Sequence, residues 1–177
     1  SFLSEPVQVE EIYVYMQTNY GTSVTPFYTT LALWVGGIVL VALMKVKVDY
    51  EDDEFKDATE HQKYIGRALL FLAMGQLQAL VVVLGDLYIL KIDCTHPFML
   101  WLAAAITSFV FTLFIYTLVL TFGDLGKAIA VVMIVLQIAG SGGTYPIELL
   151  PEFFQNVYLY FPFPYAINAM REAISGL

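Results

Sequence analysis

The sequence predicts an all-α, polytopic transmembrane helical bundle with an outer re-entrant or interfacial helix pair, and three observations carry that expectation. Of 177 residues, 59% are hydrophobic and 14% charged, with a mean hydropathy of +0.71; soluble domains hold roughly 45–50% apolar and about 25% charged residues. The charges gather into short segments, leaving uncharged runs that suit a bilayer core about 30 Å thick, which roughly 20 helical residues cross. Near the C-terminus, an amphipathic stretch too short to cross is bracketed by prolines. Backbone polar groups in lipid must be satisfied within their own segment, so the runs are read as helices.

Residues 1–26 are expected to be an extracellular juxtamembrane segment. Pro6 to Val9 and Ile12 to Tyr15 are β-branched and aromatic enough for a short strand, and Asn19-Tyr20-Gly21 reads as a turn before the membrane. Residues 27–147 form a membrane domain of four spans. The first runs from Phe27 to Met44, opened by Pro26 and closed by Lys45. The second, Ala68 to Gly85, lies between Arg67 and Asp86 and can be extended to Leu90. The third is Pro97 to Phe122, ended by Gly123-Asp124. The fourth starts at Ala128 and reaches about Ala139, where Gly140-Ser141-Gly142-Gly143 is expected to end it.

Residues 148–177 complete the order as an outer re-entrant helix pair leading into a truncated further span. Leu150, Phe153, Phe154, Val157, Tyr158 and Phe161 recur at the spacing of one helix face, with Glu152, Gln155 and Asn156 opposite. Pro151 suits a first turn, and Pro162 and Pro164 are expected to stop the helix. Eleven residues at about 1.5 Å each do not cross a bilayer, so this helix lies in the outer interface or dips and returns. A second helix, roughly Tyr165 to Ser175, would continue past Leu177. A start at Ser1 and a pattern still running at Leu177 mark the sequence as a piece of a longer protein.

Orientation follows from Lys and Arg in the short loops. Six of them (Lys45, Lys47, Lys56, Lys63, Arg67, Lys127) lie on one side and only Lys91 and Arg171 on the other. Loop 45–67 is therefore expected in the cytoplasm and residue 1 outside. A net charge of −8 with eight Lys and Arg leaves nothing to neutralise a phosphate backbone, which excludes nucleic-acid binding.

Several side chains stand out. Asp86 sits about one turn inside the outer end of the second span, where it serves either as an interfacial anchor or as a gate, because ionisable groups in membranes face a cavity, a partner or headgroup water. Gln76, Gln78 and Gln137 lie deeper and suit hydrogen bonds across helices. His61 and His96 have no ligand at helical spacing, so no metal site is expected. Cys94, the single cysteine, excludes an internal disulfide framework. An intramembrane protease needs paired carboxylates at depth or a Ser–His pair; Ser108 and Ser141 have no such His, and the chain is expected not to be an enzyme. No G-x-x-x-x-G-K-[ST] string occurs, so no nucleotide cofactor is expected on this chain.

More specific strings are Pro26-Phe27-Tyr28-Thr29, Ala32-Leu33-Trp34-Val35-Gly36, Tyr64-Ile65-Gly66-Arg67, Gly85-Asp86, and Gly126-Lys127-Ala128. Leu136-Gln137-Ile138-Ala139-Gly140-Ser141-Gly142-Gly143-Thr144-Tyr145-Pro146, Leu149-Leu150-Pro151-Glu152-Phe153-Phe154 and Pro164-Tyr165-Ala166-Ile167-Asn168-Ala169-Met170-Arg171 complete them. Together they resemble the C-terminal membrane region of the YhgE/Pip family, the phage infection proteins of Gram-positive bacteria, a branch of the type-2 ABC exporter permeases. The resemblance covers nearly the whole chain. It implies a multi-pass protein of the bacterial plasma membrane, acting as a homodimer, that exports an unknown compound with ATP used only through a separate ABC ATPase. It equally admits a surface receptor or scaffold that anchors a large extracellular segment, with a phage protein or a type VII secretion system as partner.

On that resemblance the acidic loop becomes a candidate coupling helix against the ATPase, with Asp49, Glu51, Asp52, Asp53, Glu54, Tyr64 and Arg67 as its residues; a plain solvated linker is the alternative. A calcium loop is disfavoured because the mid-loop Gly and terminal Glu of an EF-hand are missing. Asp86, Gln76 and Gln137 are candidates for a membrane pathway. Glu148, Phe153, Phe154 and Arg171 are candidates for an outer lid, in which Glu148 and Glu152 would flank the mouth opposite Arg171.

Overall fold

A computed structural model describes residues 20–46, 59–140 and 151–176. Those residues form six α-helices: α1 (Tyr20–Leu43), α2 (Glu60–Leu84), α3 (Pro97–Phe122), α4 (Asp124–Gly140), α5 (Glu152–Val157) and α6 (Pro162–Ser175). A π-helical turn, Gly85–Ile89, extends α2, and a 3-10 turn, Tyr158–Tyr160, follows α5. The segment read as a possible strand, most of loop 45–67, and residues 141–150 lie outside the described residues.

Among the described residues three helices are long and apolar enough to cross a membrane: α1, α2 with its π turn, and α3. The third expected span and α3 have the same bounds, Pro97 at its start and Gly123 at its end. α4 is described over 17 residues, about 26 Å at 1.5 Å per residue, up to the edge of the described residues at Gly140.

The other expected bounds move for identifiable reasons. α1 begins at Tyr20 and carries Pro26 inside it. Hydroxyls on either side of the proline bond back within the helix, Thr25 Oγ1 to Gly21 O at 2.9 Å and Thr30 Oγ1 to Pro26 O at 2.7 Å; the helix bond that the proline, lacking an N–H, does not make is the one to the Thr22 carbonyl. α2 begins at Glu60 because Thr59 and Gln62 form a reciprocal capping box, which satisfies two end donors. The charged residues Glu60, Lys63 and Arg67 thus belong to the helix, in a first turn closed by a Lys63–Glu60 pair at 3.3 Å.

α3 is the centre of the bundle, in contact with α1, α2, α4 and α6. α4 returns from it through a tight turn in which Gly126 presses on the α3 backbone: a Cβ there would lie 2.8 Å from Val119 Cα. Antiparallel alternation then puts two ends on the bundle, one carrying Lys45, Glu60 and Lys127, the other carrying Thr95.

Candidate functional site

α6 enters the bundle from the Thr95 end and stops halfway. Its C-terminal carbonyls are taken by the chain before α3: Thr95 N donates to Ile174 O at 3.0 Å and His96 N to Ala173 O at 3.1 Å. Its first turn lies deep. Phe163 is fully buried and stacks on Phe111 at 5.5 Å, a residue about 20 Å along α3 from Pro97. The helix start therefore sits well inside the apolar layer, where unpaired N–H groups are expensive.

The sequence solves that difficulty with the two prolines. The first four N–H groups of a helix have no intrahelical acceptor. Here Phe161 N bonds Tyr158 O at 3.2 Å, and Pro162 and Pro164 carry no N–H at all, so only Phe163 N is left over. The helix expected before Pro162 does end there, at the 3-10 turn Tyr158–Tyr160, and the two prolines lie in the first turn of the next helix, which starts at Pro162 rather than Tyr165. α6 ends at Ser175, where Gly176 adopts a left-handed cap at φ 76.

Around the start of α6, four helices meet on Trp34. Its ring, fully buried, lies edge-on to Phe111 at 5.0 Å and to Phe163 at 5.7 Å, and its Nε1 donates to Ala130 O of α4 at 3.2 Å. Such ring pairs add about 0.5–1.5 kcal/mol each beyond the area they bury. Thr30, one turn from Trp34, gives its proton to Pro26 O and sets its Oγ1 3.6 Å from Met170 Sδ of α6. One turn nearer the Thr95 end stands the charged group of the site. Asp86, 6% exposed, accepts a 2.6 Å hydrogen bond from Thr29 Oγ1. It belongs to the π-helical turn, and such turns recur at functional sites.

The remaining candidates separate into distinct places. Gln76 Nε2 donates to Ala105 O at 2.9 Å, and Gln78 lies against Gly36 of α1; both act between helices. Gln137 is fully buried on α4. Phe154 is half-buried over Gly140 while Phe153 is 60% exposed, so the two rings expected on one buried face point to different surroundings. Arg171, half-buried, donates to Asn168 Oδ1 at 3.4 Å within α6. The Tyr64 hydroxyl pairs with Thr117 Oγ1 at 2.8 Å. Arg67 is half-buried. Asp49, Glu51, Asp52, Asp53, Glu54 and Glu148 lie outside the described residues.

Sequence reading missed Thr29, Thr30, Phe111, Phe163 and Met170. One signal was available. Ala68, Phe71, Gly75, Ala79 and Val83 are the buried residues of α2, and Asp86, buried in its turn, continues that stripe at helical spacing.

Two features lie apart from this cluster. Cys94 is half-buried, its Sγ directed at Ala173 O at 3.6 Å, and burial pushes its thiol above the usual range against a smaller opposing effect of a hydrogen bond from the His96 backbone. At the opposite end, an open cleft of about 370 Å³ is lined by Val41, Met44, Lys45, Val119, Asp124 and Lys127 among others. Lys127 and Asp124 pair across its rim at 3.0 Å. Among the described residues no three His, Cys, Asp or Glu side chains are placed to share a metal ion.

Comparison with known proteins agrees with a membrane permease. Residues 59–177 match the family described as ABC-2 family transporter protein. The chain is 31% identical over 173 residues to the uncharacterized protein YhgE of Bacillus subtilis (strain 168), an alignment that takes in 98% of this chain and 22% of that protein. The chain thus spans about a fifth of the length of the curated relative it matches. No solved structure gives a significant match.

Proposed function

The chain belongs to the ABC-2 family of transporter proteins, as a YhgE-like membrane region, and from that premise we propose that it serves export of a compound across the bacterial plasma membrane. The family is one of transport permeases that work with an ATPase; the energy would come from ATP hydrolysed on that separate subunit. Two copies would act together. The observation that carries the reading is α6, a helix that enters the apolar layer from one end, rests its start on Trp34 and Phe111, and is tied at its exit to Thr95 and His96. A helix that penetrates without crossing is suited to cover a path rather than to anchor the chain.

In this reading the Thr95 end faces outside and α5 with α6 is the lid, covering a path beside Asp86 and Gln137. The Lys127 end faces the cytoplasm, as the six-to-two distribution of Lys and Arg supports. Its cleft and the acidic residues of loop 45–67 are then where the ATPase docks. A cysteine placed at Lys56 in a Cys94→Ala background should resist a membrane-impermeant thiol reagent in intact cells, and labelling there would reverse the orientation.

The function itself is tested by comparing compounds released by a strain lacking the full-length protein with those released by its parent. At least one compound should fall in the medium, return with the parent protein, and stay low with Phe163→Asp, whose carboxylate cannot sit between Trp34 and Phe111. Identical media from parent and deletion strains would remove the export reading.

A further inference from the structure

The lid leaves one buried group unaccounted for. Gln137 is 0% exposed, and neither its Oε1 nor its Nε2 has a hydrogen-bond partner among the described residues. It lies on the same face of α4 as Gly126, Ala130, Ile134 and Gly140, the buried face of that helix. A primary amide has two donors and an acceptor to satisfy, and a buried one with none satisfied carries its whole desolvation cost. An apolar side chain of similar volume would avoid that cost. One turn beyond Gln137, the helix is covered by α5: a Cβ on Gly140 would meet Phe154 Cδ1 at 3.1 Å. Among the described residues a six-residue helix, whose other ring, Phe153, is 60% exposed, thus forms part of the cover over this end of α4.

We propose that Gln137 is a built-in destabiliser of the packed arrangement, so that displacing α5 from Gly140 lets water reach the amide and recovers the energy its burial costs. This rests on α5 and α6 acting as the lid. A transport cycle needs two arrangements separated by a gap small enough for a ligand or partner to bridge. Gln137 narrows that gap by raising the packed side, whereas a leucine at the same place would lock it.

The test uses the full-length protein in lipid nanodiscs with Cys94→Ala and Ile134→Cys, position 134 being 8% exposed on the same face of α4. Reaction of that cysteine with N-ethylmaleimide reports opening. Adding Gln137→Leu should slow it at least about 5-fold, equivalent to about 1 kcal/mol at 1.4 kcal/mol per tenfold. Without the reporter cysteine, Gln137→Leu and Gln137→Met should both raise the thermal midpoint. Unchanged or faster labelling, or a lowered midpoint in both variants, would overturn the proposal whatever happens to export. Slowed labelling with undiminished export would instead keep the destabiliser and remove the lid.

Discussion

The α2–α3 pair and the α5–α6 hairpin are fastened to the same bundle by different means. Along α2 and α3, side chains of one helix reach the other at successive levels: Tyr64 with Thr117, Tyr116 Oη to Tyr64 O, Ser108 Oγ to Gly75 O, and Gln76 Nε2 to Ala105 O, at 2.8 to 3.2 Å. Among the described residues, α6 is bonded through its backbone at its Thr95 end, and rings and the Thr30–Met170 contact hold its deeper part. Lipid gives apolar helix faces no hydrophobic reason to associate, so close packing and interhelical hydrogen bonds decide which contacts last. The difference is one of fastening: polar contacts at several levels join α2 to α3, whereas mainly rings join the hairpin to the bundle. That is why the proposed function makes the hairpin the moving part.

The largest effect should come from blocking the α2–α3 pair. Gly75 lets α2 approach Ser108 and Thr112, and a Cβ there would lie 3.2 Å from Ser108 Oγ and nearer still to Thr112 Oγ1. Gly75→Leu should therefore prevent assembly, seen as loss of monodisperse protein after extraction, and recovery of a normal yield would show that α2 and α3 are not so tightly joined.

Phe163→Ala should come next. Emptying a buried aromatic site costs about 3–5 kcal/mol when the surroundings do not collapse, and the loss should be local. Hydrogen exchange should accelerate in the first two turns of α6 and remain slow in α2 and α3. Equal acceleration throughout would erase the distinction between the two regions.

Ser108→Ala is the smallest change, because Gly75 O still has its place in the α2 ladder. Single interhelical bonds in membrane proteins average about 0.6 kcal/mol and reach about 1.7, so the thermal midpoint should fall by only a few degrees at most. Combined with Gln76→Leu, it should weaken α2–α3 further without changing exchange in α6. A cooperative collapse of both regions would mean that the hairpin depends on the zipper.

Parts of this arrangement were legible without coordinates. Proline at one end and glycine at the other bounded α3 because those residues act on their own turn of backbone. The start of α1 was misjudged by the same rule, since Pro26 lies inside the helix. Pro162 and Pro164 both follow the end of one helix and open the next, and a buried start, short of acceptors for its N–H groups, gives the second role its physical reason.

The sequence by itself determined the membrane class and the main apolar runs, because composition is a local property. It did not determine that Thr29 would meet Asp86, that Trp34, Phe111 and Phe163 would form one cluster, or that Gln137 would be enclosed. α3 shows why: its buried residues Leu100, Ala104, Phe111 and Ile115 and its exposed residues Phe98, Leu102, Val110 and Phe114 are of the same apolar kind. In lipid both sides of a helix are apolar, so the pattern that separates core from surface in water is absent. Which faces meet is then settled by shape and by a few polar contacts between residues far apart in the chain, and these exist only once the helices have packed.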